Sequence, residues 1–121
     1  MEIKTKVAGA VVMTDELASF LDQKIKKLEV FVKEDPTAIC EVEVCTTSAG
    51  QRTGDVYRAE VHMTFTGGDV YAESIAATLH RAIDATVKEA RRELRKKRTK
   101  NRDMVRKGAA NVKEFFRNFG K

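Results

Sequence analysis

Residues 55–73, DVYRAEVHMTFTGGDVYAE, decide the fold of this 121-residue chain. Every second residue is apolar up to Phe65, and the alternation resumes in DVYAE after Gly67-Gly68. A period of two places the apolar side chains on one face of a half-buried strand, and paired glycines tolerate the positive φ of a two-residue hairpin turn. The stretch therefore predicts two antiparallel strands joined at Gly67-Gly68. The inward residues of the first are Tyr57, Ala59, Val61, Met63 and Phe65.

Two more strands are predicted upstream of this hairpin. AICEVEVCTT at 38–47 alternates in the same way, with its two glutamates on the outer face. IKTKV at 3–7 forms a shorter first strand, in which Lys4 and Lys6 share one face. With the hairpin, these segments predict a four-stranded sheet whose outer face is mixed in charge and solvated.

Two segments have the period of an amphipathic helix. Thr14 is a suitable cap, it is followed by two acids, and the apolar stripe behind it predicts a helix over 15–33. Ser74 is expected to cap a second helix whose apolar stripe consists of Ile75, Leu79, Ala82, Ile83, Val87, Ala90 and Leu94. The order β-α-β-β-β-α predicts an α+β fold with both helices on one face of the sheet, because that arrangement buries every apolar stripe.

The charge is divided unevenly along the chain. Residues 1–87 hold 9 Lys+Arg against 14 Asp+Glu, whereas residues 88–121 hold 14 against 4, which together give the net charge of +5. Positive charge is densest in KEARRELRKKRTK at 88–100, which has eight cations and two glutamates. A basic block beside an acidic body favours a polyanionic partner such as nucleic acid, although a merely solvated lysine-rich helix has the same composition.

The helical period places Arg81, Lys88, Arg91, Arg92 and Arg95 on one side of the second helix, opposite its apolar stripe, whereas Lys97 falls nearer the apolar side. Like charges at such spacings destabilise an isolated helix by a few tenths of a kcal/mol per pair, so a polyanionic partner explains their presence. On the first helix, two lysines at the margin of the apolar stripe are expected to border the groove between the helices. The residues predicted from this pattern to bind RNA are Lys24, Lys27, Arg81, Lys88, Arg91, Arg92, Arg95 and Arg98.

Three short motifs make residues 1–98 resemble the ribosome hibernation promoting factors, also called ribosome-associated inhibitors. TDELASFLDQKIKKLEVF at 14–31 is similar to the family's T-x-x-L-x-x-x-x-x-x-K-x-x-K-L, and GGDVYAE to its hairpin. AID at 82–84, followed by R-x-L-x-K at 92–96, is similar to its last helix. The resemblance implies a protein of the stress response and stationary phase that binds the small ribosomal subunit in the mRNA/tRNA channel and inhibits translation by occluding the A and P sites.

The same resemblance implies that Lys24, Lys27, Arg92 and Lys96 contact the ribosomal RNA backbone. The chain departs from the family pattern at Ala10-Val11 after Gly9, where a polar or basic residue is usual, at His80, and at Glu89, where the family's lysine is displaced to Lys88. Phosphate contacts give salt-sensitive affinity without base recognition, which suits an RNA-lined cavity recognised by shape.

The sequence predicts a ribosome-binding domain over 1–98 and a basic tail over 99–121 that has helical spacing. The tail is short compared with the separate dimerisation domain of the longer family members, which indicates the short type. Its Phe115, Phe116 and Phe119 need an apolar surface, so we expect them to contact ribosomal protein, bases or the domain itself. Self-association through the tail and a disordered tail remain open alternatives.

An enzymatic function has little support in the sequence. Cys40 and Cys45 are five residues apart on one strand and point to opposite faces, and no glycine-rich phosphate loop precedes a helix, so neither a metal site, a cofactor nor a small-molecule substrate is expected. Without an apolar leader or a membrane span, a cytoplasmic protein is expected. The alternatives are a module that binds structured RNA off the ribosome and a protein-interaction adaptor that uses the phenylalanines of the tail.

Overall fold

The hairpin quoted above forms the centre and one edge of the sheet. The computed structural model describes residues 1–47 and 56–107, with side chains described as far as Arg98. Strand β3 spans Tyr57–Phe65 and β4 spans Gly68–Ala76, nine residues each. Phe65 pairs with Gly68, so the two-residue turn is Thr66-Gly67, and the prediction of Gly67-Gly68 was wrong by one position. The Asp35 carboxylate accepts the Thr66 N–H at 2.6 Å, which fixes Thr66 in the turn.

Strands β1 (Glu2–Val7) and β2 (Ile39–Thr46) complete a sheet of order β1-β2-β3-β4. β1 runs parallel to β2, whereas the other two pairs are antiparallel. The register sets Lys4 opposite Glu41 and Lys6 opposite Glu43 on the outer face. The predicted alternation is confirmed on the inner face of β2, β3 and β4, where Cys40, Val42, Val44, Ala59, Val61, Met63, Val70 and Ala72 are buried. It is not seen in the edge strand β1, where Glu2 to Lys6 are exposed and only Val7 is partly covered.

Helix α1 spans Asp15–Glu29, and Thr14 caps it as predicted, its Oγ1 accepting the Leu17 N–H at 3.1 Å. The helix ends four residues before the predicted position 33. The N–H groups of Phe31 and Val32 donate to carbonyls only three residues back, so the chain tightens into turns that lead to Pro36. Val32 nevertheless remains in the core. The apolar pattern therefore extended beyond the helix itself.

Helix α2 spans Leu79–Lys107 and starts later than predicted. Ser74 is not its cap, because Ser74 pairs with Ala59 inside the long β3–β4 ladder. Ile75 belongs to β4 and is 52% exposed, so its placement in the helical stripe was also wrong. The first turn is instead capped by Thr78, whose Oγ1 accepts the Arg81 N–H at 3.2 Å.

One core joins both helices to one face of the sheet, as the stripes predicted. The other residues of the predicted α2 stripe are buried in it, except that Leu79 is only partly covered. Thr86 is fully buried among them, and its hydroxyl donates to the carbonyls of Ala82 and, across to β3, of Ala59. This polar contact anchors α2 on the sheet and fixes which side of the helix faces outward.

Candidate nucleic-acid interface

The outward side of α2 carries the predicted cations. Arg81, Lys88, Arg92, Arg95, Lys96 and Arg98 are exposed and Arg91 is half-buried, and we call these seven residues the basic face. They lie outward because the helical period directs Ala82, Ile83, Val87, Ala90 and Leu94 into the core. The face begins at the first turn of α2 and extends along the helix as far as side chains are described.

Two members of the basic face are already paired with acids on the same helix. Arg92 Nη2 lies 2.9 Å from Glu89 Oε1, and Lys96 Nζ lies 3.4 Å from Glu93 Oε1. Both pairs are exposed, and such surface pairs are worth at most about 1 kcal/mol, so a phosphate can replace the carboxylate. Within the part of the chain whose side chains are described, Lys88 and Arg95 form no salt bridge.

Arg91 differs from its neighbours because it lies on the side of α2 that faces α1. It follows Asp84 by seven residues, two helical turns, and Asp84 contacts α1. The Arg91 Nε is buried and has no hydrogen-bond partner among the described residues. Its position therefore brings a guanidinium to the side of α2 that faces α1, two helical turns beyond the contact between Lys24 and Asp84.

Lys24 and Lys27 occupy different environments on α1. Lys24 Nζ lies 2.8 Å from Asp84 Oδ1 and 5.3 Å from the centre of the Phe20 ring, and its side chain is only 22% exposed. Lys27 is exposed. The structure therefore brings Lys24 directly against α2, whereas Lys27 extends the positive surface along α1.

Sequence reasoning missed the residues that surround Lys24. Phe20 belongs to the apolar stripe that predicted α1, and His80 was noted only as a departure from the family pattern. In the structure the His80 ring meets the Phe20 ring edge-on, with the ring centres 4.2 Å apart. Asp84 was part of a quoted motif, but the helical period could not reveal a partner 60 residues away in the sequence.

The end of the basic face opens on a cleft of about 680 Å³ between the α1–β2 loop, the β3–β4 turn and α2. Its apolar lining includes Phe31, Phe65 and Leu94, and its cations are Lys33, Lys97 and Arg98. Lys97 is half-buried, in keeping with its predicted position nearer the apolar side. Arg98 therefore joins the basic face to this cleft, whose lining also includes the carboxylates of Glu34 and Asp35.

The open face of the sheet is a poor surface for a polyanion because it carries several acids, and because its Arg58 is paired with two of them. The Arg58 guanidinium donates to Glu60 and Glu73, and this contact together with the hydrogen bond from Tyr71 lowers the pKa of Glu73. The hydrogen bond to Glu73 also raises the pKa of Tyr71 to about 12. His62 lies 3.2 Å from Asp69. The acids on this face repel phosphate, as the mixed pattern indicated.

The buried cysteine, Cys40, offers no reactive thiolate. Cys40 is buried in the core, and burial raises the pKa of its thiol to about 12, so the thiolate is scarce at neutral pH. Among the described residues, no cluster of three or more His, Cys, Asp or Glu side chains has the arrangement that holds a metal. The phenylalanines predicted to make tail contacts, Phe115, Phe116 and Phe119, lie outside the described residues.

Comparison with known proteins identifies one matching family model and solved structures with the same fold. The chain matches the family model described as sigma 54 modulation protein / S30EA ribosomal protein over residues 7–102. Two similar solved structures are the N-terminal domain of Protein Y from Thermus thermophilus (23% identity, TM-score 0.64, 79% of this chain and 98% of that one) and a ribosomal subunit interface protein from Coxiella burnetii (11%, 0.68, 82% and 99%). No curated protein matches significantly. Within the described residues, none of the helices has the length and apolar character needed to cross a bilayer.

Proposed function

This chain belongs to the family of sigma 54 modulation proteins and S30EA ribosomal proteins, and from that premise we propose that it is a ribosome hibernation factor. It binds the small ribosomal subunit in the mRNA/tRNA channel and inhibits translation by occluding the A and P sites. It acts by occupying space, not by catalysis, and it does so in the cytoplasm, where ribosomes are. The observation that carries the proposal is the basic face of α2, continued across the helix seam by Lys24 and Lys27.

The chemistry of the basic face suits an RNA-lined channel. Lys and Arg neutralise phosphates without reading bases, so the surface recognises the shape and charge of folded RNA. Contacts distributed over two helices favour a concave site with phosphates on more than one wall, because a single straight RNA backbone would meet only one helix. In this function Lys24, Lys27, Arg81, Lys88, Arg91, Arg92, Arg95, Lys96 and Arg98 contact ribosomal RNA.

Sedimentation of cell extract tests the proposal. We expect the protein to migrate with small subunits or whole ribosomes, and purified protein to inhibit translation in a reconstituted system in proportion to its occupancy of small subunits. Migration with messenger RNA or structured RNA free of ribosomes would instead support a general RNA-binding module.

A pair of charge-reversal variants locates the interface. Replacing Arg92 and Arg95 with glutamate is expected to abolish ribosome binding while the domain still folds, because both side chains are exposed on α2. The control replaces Lys4 and Lys6, exposed cations of the open sheet face, with glutamate and changes the net charge equally. The control should keep most of the binding, with folding of both variants checked by circular dichroism. Equal loss in both would mean that net charge, not the basic face, governs binding.

A further inference from the structure

Asp84 places a negative charge within a surface that otherwise attracts phosphate. It lies three residues after Arg81 and four before Lys88, which makes both cations its neighbours on α2. Its side chain is 52% exposed, so its charge acts on the surface as well as on its partner. A carboxylate at this position lowers the general attraction of the basic face for any polyanion. An additional role must offset this cost.

The role follows from the contacts of Lys24. The Lys24 ammonium is held between Asp84 Oδ1 at 2.8 Å and the face of the Phe20 ring, which the His80 ring meets edge-on. Phe20, Lys24, His80 and Asp84 form what we call the interhelical cluster. An ammonium has three N–H donors, and the bond to Asp84 uses one, so donors remain for a phosphate oxygen.

Restraint of Lys24 has a direct effect on binding. A long side chain loses rotamer freedom when it is immobilised by a partner, and this loss weakens binding unless the side chain is already ordered. Lys27 is exposed, and within the described side chains it has no ion pair, so it must be ordered by the partner. Lys24 is ordered by the fold itself.

We propose that Asp84 is a positioning residue that holds Lys24 at the helix seam in an orientation suited to one RNA phosphate, and that it thereby selects the ribosomal site over unstructured RNA. This inference rests on the proposed function. The charge of Asp84 reduces the affinity of the surface for every polyanion. Its restraint of Lys24 increases affinity only for a partner that places a phosphate against Lys24 at the seam. Selectivity, not affinity alone, is therefore the quantity that Asp84 controls.

The test compares two partners, small ribosomal subunits and a 20-nucleotide uridine homopolymer, at one salt concentration. Asp84→Asn should bind the homopolymer more tightly and the subunits more weakly, so that the ratio of the two affinities falls by about 3- to 10-fold. Asp84→Glu retains the charge and should keep most of the selectivity. The matched control is Asp22→Asn, which removes the same charge from the exposed Asp22–Lys26 pair on α1 and should leave the ratio unchanged.

A double-mutant cycle shows whether Asp84 acts through Lys24. In a Lys24→Met background, Asp84→Asn should strengthen binding to subunits, because only the unfavourable carboxylate is then removed. Denaturant unfolding of the same four proteins measures the Lys24–Asp84 coupling without any RNA, and coupling is expected.

The possible failures are distinct. If Asp84→Asn changes both affinities by the same factor, or if Asp84→Glu loses as much selectivity as Asp84→Asn, the positioning role is wrong while ribosome binding stands. If the wild-type protein binds subunits no better than the homopolymer, the proposed function fails and this inference fails with it.

Discussion

Gly9 shows how one residue controls the path from β1 into the helical layer. Its φ is +64°, the Ala8 N–H donates to the Val44 carbonyl, and the Ala10 N–H donates to Thr46 Oγ1 at 3.1 Å. A Cβ on Gly9 would lie 2.3 Å from that same oxygen. Glycine is therefore required here both by the backbone conformation and by the close approach of Thr46.

We predict that Gly9→Ala lowers the free energy of unfolding by about 2–3 kcal/mol, since the left-handed conformation alone costs about 1–2 kcal/mol and the contact with Thr46 adds to it. Urea denaturation measures the loss. The control is Gly9→Ala in a Thr46→Ala background, where the oxygen that the added Cβ would meet is absent. An equal loss of stability in both backgrounds would refute the role of the Thr46 hydroxyl.

At the scale of single side chains, the sequence predicted which residues are exposed wherever the helical or strand repeat determines exposure. The exposed positions of Arg92 and Arg95 follow from the helical repeat, and the capping role of Thr14 follows from its chemistry and the acids after it. The pairing of Lys24 with Asp84 was not predictable, because it depends on how two helices pack. Thr86 was missed for a related reason: one of the two carbonyls that accept a hydrogen bond from its buried hydroxyl belongs to β3.

At the scale of elements, the sequence predicted which strands and helices exist and in what order, but it did not predict where the helices begin and end. The motifs at 14–31, 67–73 and 82–96 also led to the family that the match over 7–102 confirms. Ser74 and Ile75 have residue types that suit a helix start, but pairing along all of β3 keeps them in a strand. A cross-strand ladder of nine pairs thus prevailed over a local capping signal.

Asp35 joins two elements that the sequence gives no reason to connect. Its carboxylate accepts hydrogen bonds from the Thr37 hydroxyl at 2.6 Å, the Thr37 N–H at 2.9 Å and the Thr66 N–H at 2.6 Å, linking the α1–β2 loop to the β3–β4 turn. These bonds, the Thr37 hydroxyl first, lower the pKa of Asp35 to about 2. The ionised carboxylate therefore contributes to stability.

Because the pKa of Asp35 is lowered in the folded state, its contribution is present above its ordinary value of 3.8 and is lost as the pH falls towards about 2. We predict that Asp35→Asn lowers the melting temperature at pH 6, and that the difference from wild type shrinks between pH 4 and pH 2. Thermal unfolding followed by circular dichroism at pH 6, 4, 3 and 2 measures this. Asp22→Asn serves as the control and should change little, since it breaks only an exposed pair. A difference that is independent of pH would contradict the prediction.

At the scale of the whole molecule, an acidic body carries a basic helix that continues beyond it. The last described core residue is Leu94, yet α2 runs to Lys107, past position 98 where the domain was predicted to end. We propose that residues 1–98 form the ribosome-binding domain and that 99–121 act as an extension of it. The helix adds about 1.5 Å per residue, so charge is carried more than 10 Å beyond Arg98.

The last prediction separates the charge of the extension from its aromatic residues. Removing residues 108–121 should leave a folded domain, because the described core lies upstream, and should weaken ribosome binding.

Binding through phosphates depends on salt with a log-log slope of about 0.7 to 0.9 per contact, whereas aromatic contacts leave that slope unchanged. Replacing Phe115, Phe116 and Phe119 with alanine should therefore reproduce most of the lost affinity without changing the slope. Replacing Lys113, Arg117 and Lys121 with glutamine should reduce the slope and cost less affinity. Ribosome pelleting across a salt series measures both, and if the alanine variant binds like wild type while the glutamine variant matches the deletion, the extension acts through charge alone.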